Sequence, residues 1–346
     1  MRVFSSALWV RYLISLMVLL VFTSVVIPWQ YGITYPKPNG PKFDNHIHLQ
    51  YQEFIVNNHA NLVLLGDSVV VTSVDESQLA RLTGQNTLNL GIPGSASAEW
   101  YLMLKNIIAK SPRKPHYVVV VFRDTILTAP SYRVNGKYFT MVDEVAKADD
   151  TLVVQKSFVQ QMNPVEKLAD AYLPLYGSRL NLRESIDNYI RYSLSGWLGC
   201  DINCNDNASL AVFQDMNLDA NLLVEAIATA ESYLYTPNQL NFAGQLDNSY
   251  LPDMVQIARD NNIQLILVRT KHLDDPSYAT ESAALKDYIV ALKDYAQKND
   301  VVVLDFAHDD RLTSDLFSDT HHLTPTGEGI FTGMLAEALK PVLKNP

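Results

Sequence analysis

A serine and a histidine–aspartate pair are the residues of this chain that could together perform chemistry. Ser68 ends the turn 66–68, which follows the apolar run Asn61–Leu65, and Asp319 and His322 lie three residues apart. A serine hydroxyl is a poor nucleophile until a neighbouring base removes its proton. In a turn this spacing places carboxylate and imidazole on one face, so Asp319 could orient His322 towards Ser68. These residues predict nucleophilic acyl chemistry with Ser68 as nucleophile, His322 as base and Asp319 as its orienter.

The neighbouring residue His321 leaves the identity of the base open. We choose His322 because of the Asp-x-x-His spacing. Both histidines could instead be solvated surface residues without a chemical role. Asp319 and the two histidines could also coordinate a cation, but further ligands at suitable spacing are missing from the sequence. We therefore expect neither a metal ion nor a cofactor.

An oxyanion hole needs N–H donors aimed at the oxygen on which charge develops. The Ser68 N–H, at a strand-to-helix turn, is one candidate, and the Gly94 N–H after the second predicted strand is another. Arg123 could be a third donor, and its guanidinium would also suit an anionic group. Gly94 could equally be a plain turn glycine, and Arg123 could form a salt bridge with Asp124. Three nearby polar residues are candidates for substrate binding: Asp67, Asp124 and His321.

Strands and helices alternate along the chain, which predicts an α/β fold with a parallel sheet covered by helices on both faces. Short apolar runs predict five strands: Asn61–Leu65, Thr87–Leu90, Tyr117–Phe122, Gln264–Val268 and Val301–Leu304. The unbroken run Tyr117–Phe122 is typical of a central strand buried on both faces. A mostly helical insertion at about residues 125–250 interrupts the alternation. The candidate residues follow strands, so we expect them at the carboxyl edge of the sheet, where ligands bind in such folds.

The N-terminal region predicts a membrane anchor. Residues 12–36 contain no charged residue, and the apolar stretch 12–29 is long enough to span a bilayer. Arg2 and Arg11 precede it, which places the N-terminus in the cytoplasm by the positive-inside rule. The alternatives are a cleaved signal peptide, for which small residues at the exit are missing, and a core helix, which would need a polar face. We predict a cytoplasmic tail (1–11), a span of the cytoplasmic (inner) membrane (12–29), a linker (30–50) and an extracytoplasmic catalytic domain (51–346).

Net charge and cysteine content bear on two further properties, nucleic-acid binding and disulfide formation. The formal net charge of -10 argues against nucleic acid as a partner, because phosphate binding needs clustered Lys and Arg. The two cysteines, Cys200 and Cys204, are separated by only three residues. In an exported chain, such a close pair favours a local disulfide that closes a small loop. Two free thiols are the alternative, and a metal site would need two further ligands nearby.

Four sequence blocks, in their order, resemble the SGNH/GDSL hydrolase superfamily over roughly residues 60–345. They are Gly66-Asp67-Ser68, Asn89 to Gly94, Arg123-Asp124 after the central strand, and Asp319 to His322. The resemblance implies a flavodoxin-like, doubly wound parallel sheet. It also implies Ser68 as nucleophile, His322 as base, Asp319 as its orienter and Gly94 as an oxyanion donor. The family has an Asn in a Gly-x-Asn-Asp block where this chain has Arg123, which puts simple hydrolysis in doubt.

The membrane anchor, the insertion and Arg123 make the chain similar to membrane-tethered SGNH proteins of bacterial polysaccharide O-acetylation, such as alginate-acetylation proteins and the D-alanyl transfer protein. This likeness implies an envelope O-acyltransferase that works through an acyl-serine intermediate. Its expected partners are a polysaccharide acceptor and a membrane-bound O-acyltransferase that supplies the acyl group. An exported esterase and a catalytically degenerate, glycan-binding or scaffold protein are the alternatives.

Overall fold

Five parallel strands form the sheet that carries the candidate residues. The computed structural model describes residues 6–44, 50–186, 189, 231–273 and 281–343. The strands in this part are β1 (Leu62–Leu65), β2 (Thr87–Asn89), β3 (Tyr117–Phe122), β4 (Gln264–Arg269) and β5 (Val302–Asp305). Their order across the sheet is β2-β1-β3-β4-β5, with every neighbouring pair parallel. This is the flavodoxin-like order, so the predicted doubly wound fold is confirmed.

Helices connect and flank these strands. Those with described bounds are α1 (Ser6–Tyr31), α2 (Gln50–Asn57), α3 (Ser68–Ser73), α4 (Glu76–Thr83), α5 (Ser97–Leu102), α6 (Lys137–Asp143), α7 (Thr151–Val153), α8 (Pro164–Tyr172), α9 (Pro174–Gly177), α10 (Phe242–Leu246), α11 (Leu251–Asp260), α12 (Ala283–Lys298) and α13 (Pro325–Leu339). Helix α5 continues as a π-helical segment, Met103–Ile108.

The core explains why the apolar runs become strands. Every residue of β3 is buried, as expected for a strand covered on both faces. On one face of the sheet, Leu64, Val121 and Val268 pack in a single cluster with Phe331 and Leu335 of α13. Each such side chain contributes roughly 1.5–3 kcal/mol relative to an exposed one. The burial of the strands thus holds the carboxyl edge of the sheet in place.

The start of helix α13 fixes the loop before it. The hydroxyl of Thr324 accepts the Gly327 N–H at 3.2 Å, and Pro325 occupies the first helical position, where its missing N–H costs nothing. A side chain at Gly327 would place its Cβ 2.3 Å from the Leu316 carbonyl oxygen. Only glycine therefore lets the helix lie this close to the loop that contains His322.

The chain divides into two compact units, which interrupt each other along the sequence. One contains residues 1–43, 135–139 and 149–216, and the other contains the sheet with residues 44–134, 140–148 and 217–346. In the first unit, part of the stretch predicted as a linker is packed: Gly40 and Phe43 are buried there. Helix α1 contains a segment, Leu8–Tyr31, that is long and apolar enough to cross a membrane. Cys200 and Cys204, the predicted disulfide, lie outside the described residues.

Candidate active site

Ser68 is fixed at a tight strand-to-helix turn. A side chain at Gly66 would place its Cβ 2.9 Å from the Val121 carbonyl oxygen of β3, so this passage requires glycine. Asp67 caps α3, because its Oδ1 accepts the Val69 N–H at 2.9 Å. Ser68 is then the first residue of the helix and stands just beyond the carboxyl end of β1. The local sequence therefore places the hydroxyl at the sheet edge where ligands bind in this fold.

Ser68, His322 and Asp319 form a continuous hydrogen-bonded chain. The Nε2 atom of His322 lies 2.8 Å from the Ser68 Oγ, and its Nδ1 atom lies 2.7 Å from the Asp319 Oδ2. The other oxygen of Asp319 accepts the backbone N–H groups of His321 and His322, each at 2.8 Å. One carboxylate thus fixes both the loop and the ring. The structure brings together the three residues predicted as nucleophile, base and orienter.

The charge of Asp319 determines which nitrogen of His322 carries a proton. Burial alone would raise the pKa of Asp319, but the hydrogen bonds from the His322 ring and from the two backbone N–H groups outweigh it and lower the pKa to about 2. The ionised carboxylate can only accept, so Nδ1 of His322 is the protonated nitrogen. The lone pair of Nε2 then faces the Ser68 hydroxyl and can accept its proton. This is the arrangement that a serine nucleophile needs.

The loops of the two predicted oxyanion donors are joined through Gly66. The Gly66 carbonyl oxygen accepts the Ile92 N–H at 3.0 Å and the Ser95 hydroxyl at 2.9 Å. Gly94, between them, has a φ of +88°, a conformation that favours glycine. Within the described ranges, neither the Ser68 N–H nor the Gly94 N–H donates a hydrogen bond. Both donors are thus available to stabilise an oxyanion.

Arg123 is buried and is held by three side chains: His321, Glu231 and Asp67. Its Nη1 lies 3.1 Å from the His321 Nε2, and its Nη2 lies 3.2 Å from Glu231 and 3.6 Å from Asp67. Burial would lower the pKa of Arg123, but the charges of Asp67 and Glu231 outweigh it and raise it. The guanidinium is therefore a fixed positive charge beside the turn that carries Ser68. Its Nε atom has no hydrogen-bond partner in the described part of the chain.

Glu231 and Arg133 complete this cluster, and both were missed by the sequence analysis. Glu231 accepts from Arg123 and lies 3.1 Å from the Nε2 atom of His321, while Arg133 lies 3.7 Å from both Glu231 and Asp67. Burial would raise the pKa of Glu231, but the bonds from His321 and Arg123 lower it to about 2. Nothing in the sequence around residue 231 indicated this role. His321 thus contacts Glu231 and Arg123, whereas His322 contacts the serine.

The structure removes Asp124 from the candidate substrate-binding residues. Its side chain is fully buried, and its oxygens accept from Arg269 Nε and the Tyr235 hydroxyl at 2.9 and 2.8 Å. The Nε2 atom of His272 lies 2.9 Å from the same carboxylate. With every oxygen engaged inside the protein, Asp124 has none to offer to a substrate. The salt bridge considered between Arg123 and Asp124 does not form, because each residue has other partners.

The two remaining candidates for substrate binding, Asp67 and His321, lie next to Ser68 and His322 in the sequence and in the same cluster. The Oδ2 of Asp67 is buried without a hydrogen bond, facing Arg123 and Arg133 at 3.6 and 3.7 Å. Their contact with a substrate stays a prediction. In the described segments, no group of three His, Cys, Asp or Glu side chains is arranged to hold a metal ion.

Comparison with known proteins gives one family match and several similar structures. Residues 184–327 match the family DUF1574, described as a protein of unknown function. No curated protein matches the chain. Among solved structures, a GDSL-like lipase from Bacteroides thetaiotaomicron VPI-5482 is similar at 12% sequence identity and a TM-score of 0.36, covering 85% of this chain and 99% of that one. A variant of an acetyl-xylooligosaccharide esterase from Geobacillus Stearmophilus is similar at 10% identity and a TM-score of 0.38, covering 82% and 95%. The acetyl xylan esterase AlAXEase is similar at 12% identity and a TM-score of 0.35, covering 82% and 100%.

Proposed function

We propose that this protein is a serine-dependent acyl-ester enzyme of the SGNH/GDSL type. The observation that carries the proposal is the hydrogen-bonded chain from Ser68 through His322 to Asp319. Each member has the partner that its chemical role requires, and the loop that carries the histidine is fixed by the same carboxylate that orients the ring. A scaffold protein without catalysis would have no need of this alignment.

The chemistry follows from this geometry. The Ser68 Oγ attacks the carbonyl carbon of an acyl ester while the Nε2 of His322 takes the hydroxyl proton. The oxyanion of the tetrahedral intermediate is stabilised by the N–H groups of Ser68 and Gly94. The intermediate collapses, the leaving alcohol takes the proton from His322, and the acyl group remains on the serine. A second hydroxyl then attacks the carbonyl carbon of the acyl-serine and gives its proton to His322. The second tetrahedral intermediate collapses, the Ser68 Oγ takes this proton back as its bond to the acyl group breaks, and the acyl group leaves on the second hydroxyl.

We further propose that the second hydroxyl belongs to a polysaccharide, which makes the protein an envelope O-acyltransferase. The apolar span in α1 supports an anchor in the cytoplasmic membrane with the catalytic domain outside the cytoplasm. A membrane-bound O-acyltransferase partner would supply the acyl group, most simply acetyl. The buried positive charge of Arg123, where the resembling family has an Asn, supports a modified reaction at this site.

An exported esterase is the second candidate, and one observation favours it. The side chains of Asp319 and His322 are 53% and 30% exposed. Water can therefore approach the base from the open side and compete with a sugar hydroxyl for the acyl-serine. The two functions share the first half-reaction and differ only in the acceptor of the second.

The test uses the full chain in detergent micelles with p-nitrophenyl acetate as donor and oligosaccharides as acceptors. We expect p-nitrophenol release, acetylated sugar by mass spectrometry, and loss of both with Ser68→Ala. Thr72→Ala, one turn further along α3, is the matched control and keeps activity, since its hydroxyl bonds only to backbone carbonyls. Release of acetate without acetylated sugar would exclude the acyltransferase function and support the esterase function. Unchanged products with Ser68→Ala would overturn both.

A further inference from the structure

Helix α8 exposes its apolar face and buries a charged residue, the reverse of an ordinary surface helix. Val165, Leu168 and Tyr172 recur at helical spacing on one face, and they are 75%, 63% and 59% exposed. Asp170, on the opposite face, is only 1% exposed. A helix in water buries its apolar stripe and exposes its charges. The reversed orientation of α8 indicates that its outer face meets an apolar environment.

This orientation is held by specific bonds of the buried face. The Asp170 carboxylate accepts from the Lys37 ammonium at 2.9 Å, the Gly40 N–H at 2.7 Å and the Arg179 guanidinium at 2.8 Å. The Lys37 N–H also donates to the Ala171 carbonyl at 3.0 Å. The buried charge is therefore fully compensated, and a rotation of α8 that hid its apolar face would break these bonds.

The same compact unit contains the end of the apolar helix α1. Helix α9 packs against α1, and the Tyr31 hydroxyl donates to the Ser185 Oγ at 2.9 Å. Ile27, which lies within the membrane-spanning segment, is buried. With α1 in a bilayer, elements that pack against its C-terminal end would lie where the span leaves the membrane. Two more apolar residues directly after α8, Leu173 and Leu175, are also exposed.

We propose that the outer face of α8 and α9, made of Val165, Leu168, Tyr172, Leu173 and Leu175, lies in the headgroup–acyl boundary of the bilayer that α1 spans. The inference rests on the membrane anchoring put forward above. Amphipathic helices of this kind lie in the plane of the interface, with Tyr at headgroup level and basic residues towards the headgroups. A lipid bilayer is favoured over a protein as the occupant, because α9, which follows α8 directly, packs against α1, the helix that is long and apolar enough to cross a membrane.

Photo-cross-linking in proteoliposomes tests the position of this face. The full chain is reconstituted in phosphatidylethanolamine–phosphatidylglycerol vesicles with p-benzoylphenylalanine in place of one residue: Phe22 of α1, Val165 of α8 or Val290 of α12. Val290 is the matched control, since it is a valine that is 59% exposed on the sheet-containing unit. Leu168 provides a second position on the α8 face. These side chains are all exposed, so their replacement leaves the packing intact.

We expect lipid adducts, detected by mass spectrometry, at positions 22, 165 and 168, about tenfold above position 290. Adducts at position 22 with none above control at 165 and 168 would overturn the inference and leave the anchor intact. Absence of adducts at position 22 would overturn both. In native membranes, a protein adduct at position 165 in place of a lipid adduct would show that the face binds a protein partner. This result would overturn the proposed placement of the face in the bilayer. Fluorophosphonate labelling of Ser68 in the same vesicles reports the proposed enzymatic function separately.

Discussion

The adjacent residues His321 and His322 face two networks of different construction. His322 lies between the Ser68 hydroxyl and Asp319, where the pair of ring and carboxylate is open to solvent. His321 contacts Glu231 and Arg123 in a partly buried cluster. In the proposed reaction, His322 would move a proton, while His321 would hold the loop in place.

The difference between the networks lies in their charges. The cluster around His321 contains two carboxylates, Asp67 and Glu231, and two guanidinium groups, Arg123 and Arg133. The two negative and two positive charges compensate each other, so this cluster stabilises the structure and none of its groups is arranged to transfer a proton. The network of His322 has a single ionised group, so its ring can gain a proton beside a compensating carboxylate. The two neighbouring histidines therefore have different electrostatic surroundings, from which we predict separate roles.

Replacement of the two histidines in turn is the strongest test of this comparison. We expect His322→Ala to lower kcat for acyl-ester cleavage by about 10⁵–10⁶-fold, since the serine loses its base. His321→Ala should lower it only about tenfold, because the loop loses one contact but the triad remains. Steady-state hydrolysis of p-nitrophenyl acetate measures both. Equal losses for the two variants would contradict the division of roles.

Removal of the orienting charge should have the next largest effect. Asp319→Asn keeps the size of the side chain but no longer favours the Nδ1–H tautomer of His322, so we expect kcat to fall ~10³–10⁴-fold. The exposed residue Asp310 provides the control, and Asp310→Asn should leave kcat unchanged. A pH–rate profile adds a second readout. Because the pKa of Asp319 is lowered to about 2, its protonation should not limit the wild-type rate above pH 3.

The sheet and the contact between Asp319 and His322 were predictable because their signals are local. Each strand lies within one residue of its predicted bounds, since an unbroken apolar run such as Tyr117–Phe122 must be buried on both faces. The spacing of Asp319 and His322 is likewise a short-range pattern. Their placement opposite Ser68 followed from the rule that ligands bind at the carboxyl edge of such sheets.

The supporting cluster was not predictable, because its members are distant in sequence and ordinary in type. Glu231 binds Arg123 although the two residues are 108 positions apart in the sequence. Glu231 lies in the predicted insertion, where strands and helices do not alternate regularly. Asp124 follows a strand just as Arg123 does, but the two side chains have separate partners. Neither composition nor spacing decides between burial in an ion pair and exposure to a substrate; the tertiary structure does.

The buried ion network behind the site should affect stability more than chemistry. Arg269 is bound to Asp124 and Glu281 and lies 3.7 Å from Asp305. Arg269→Met leaves these carboxylates without their shared cation, so we expect a loss of about 3–5 kcal/mol in the free energy of unfolding. Urea denaturation in micelles measures it. Arg311→Met, which removes an exposed arginine, should leave the midpoint unchanged. A similar midpoint for both variants would contradict a structural role for the network.

Glu231→Gln gives the smallest and most specific effect, a pH-dependent loss of stability. The pKa of Glu231 is lowered from 4.5 to about 2 in the folded protein, so its ionised form is bound more strongly there than in the unfolded chain. The resulting stabilisation is fully present above pH 4.5 and disappears as the pH falls towards 2. The wild-type thermal midpoint should exceed that of the variant by a few degrees at pH 6, and the gap should close between pH 4.5 and 2. His321, Arg123 and Arg133 are present in both proteins, and Gln keeps the size of the Glu side chain, so the two proteins differ by one carboxylate charge. A gap that stays constant with pH would mean that Glu231 acts by packing alone, and the cluster around His321 would then not hold the loop by charge.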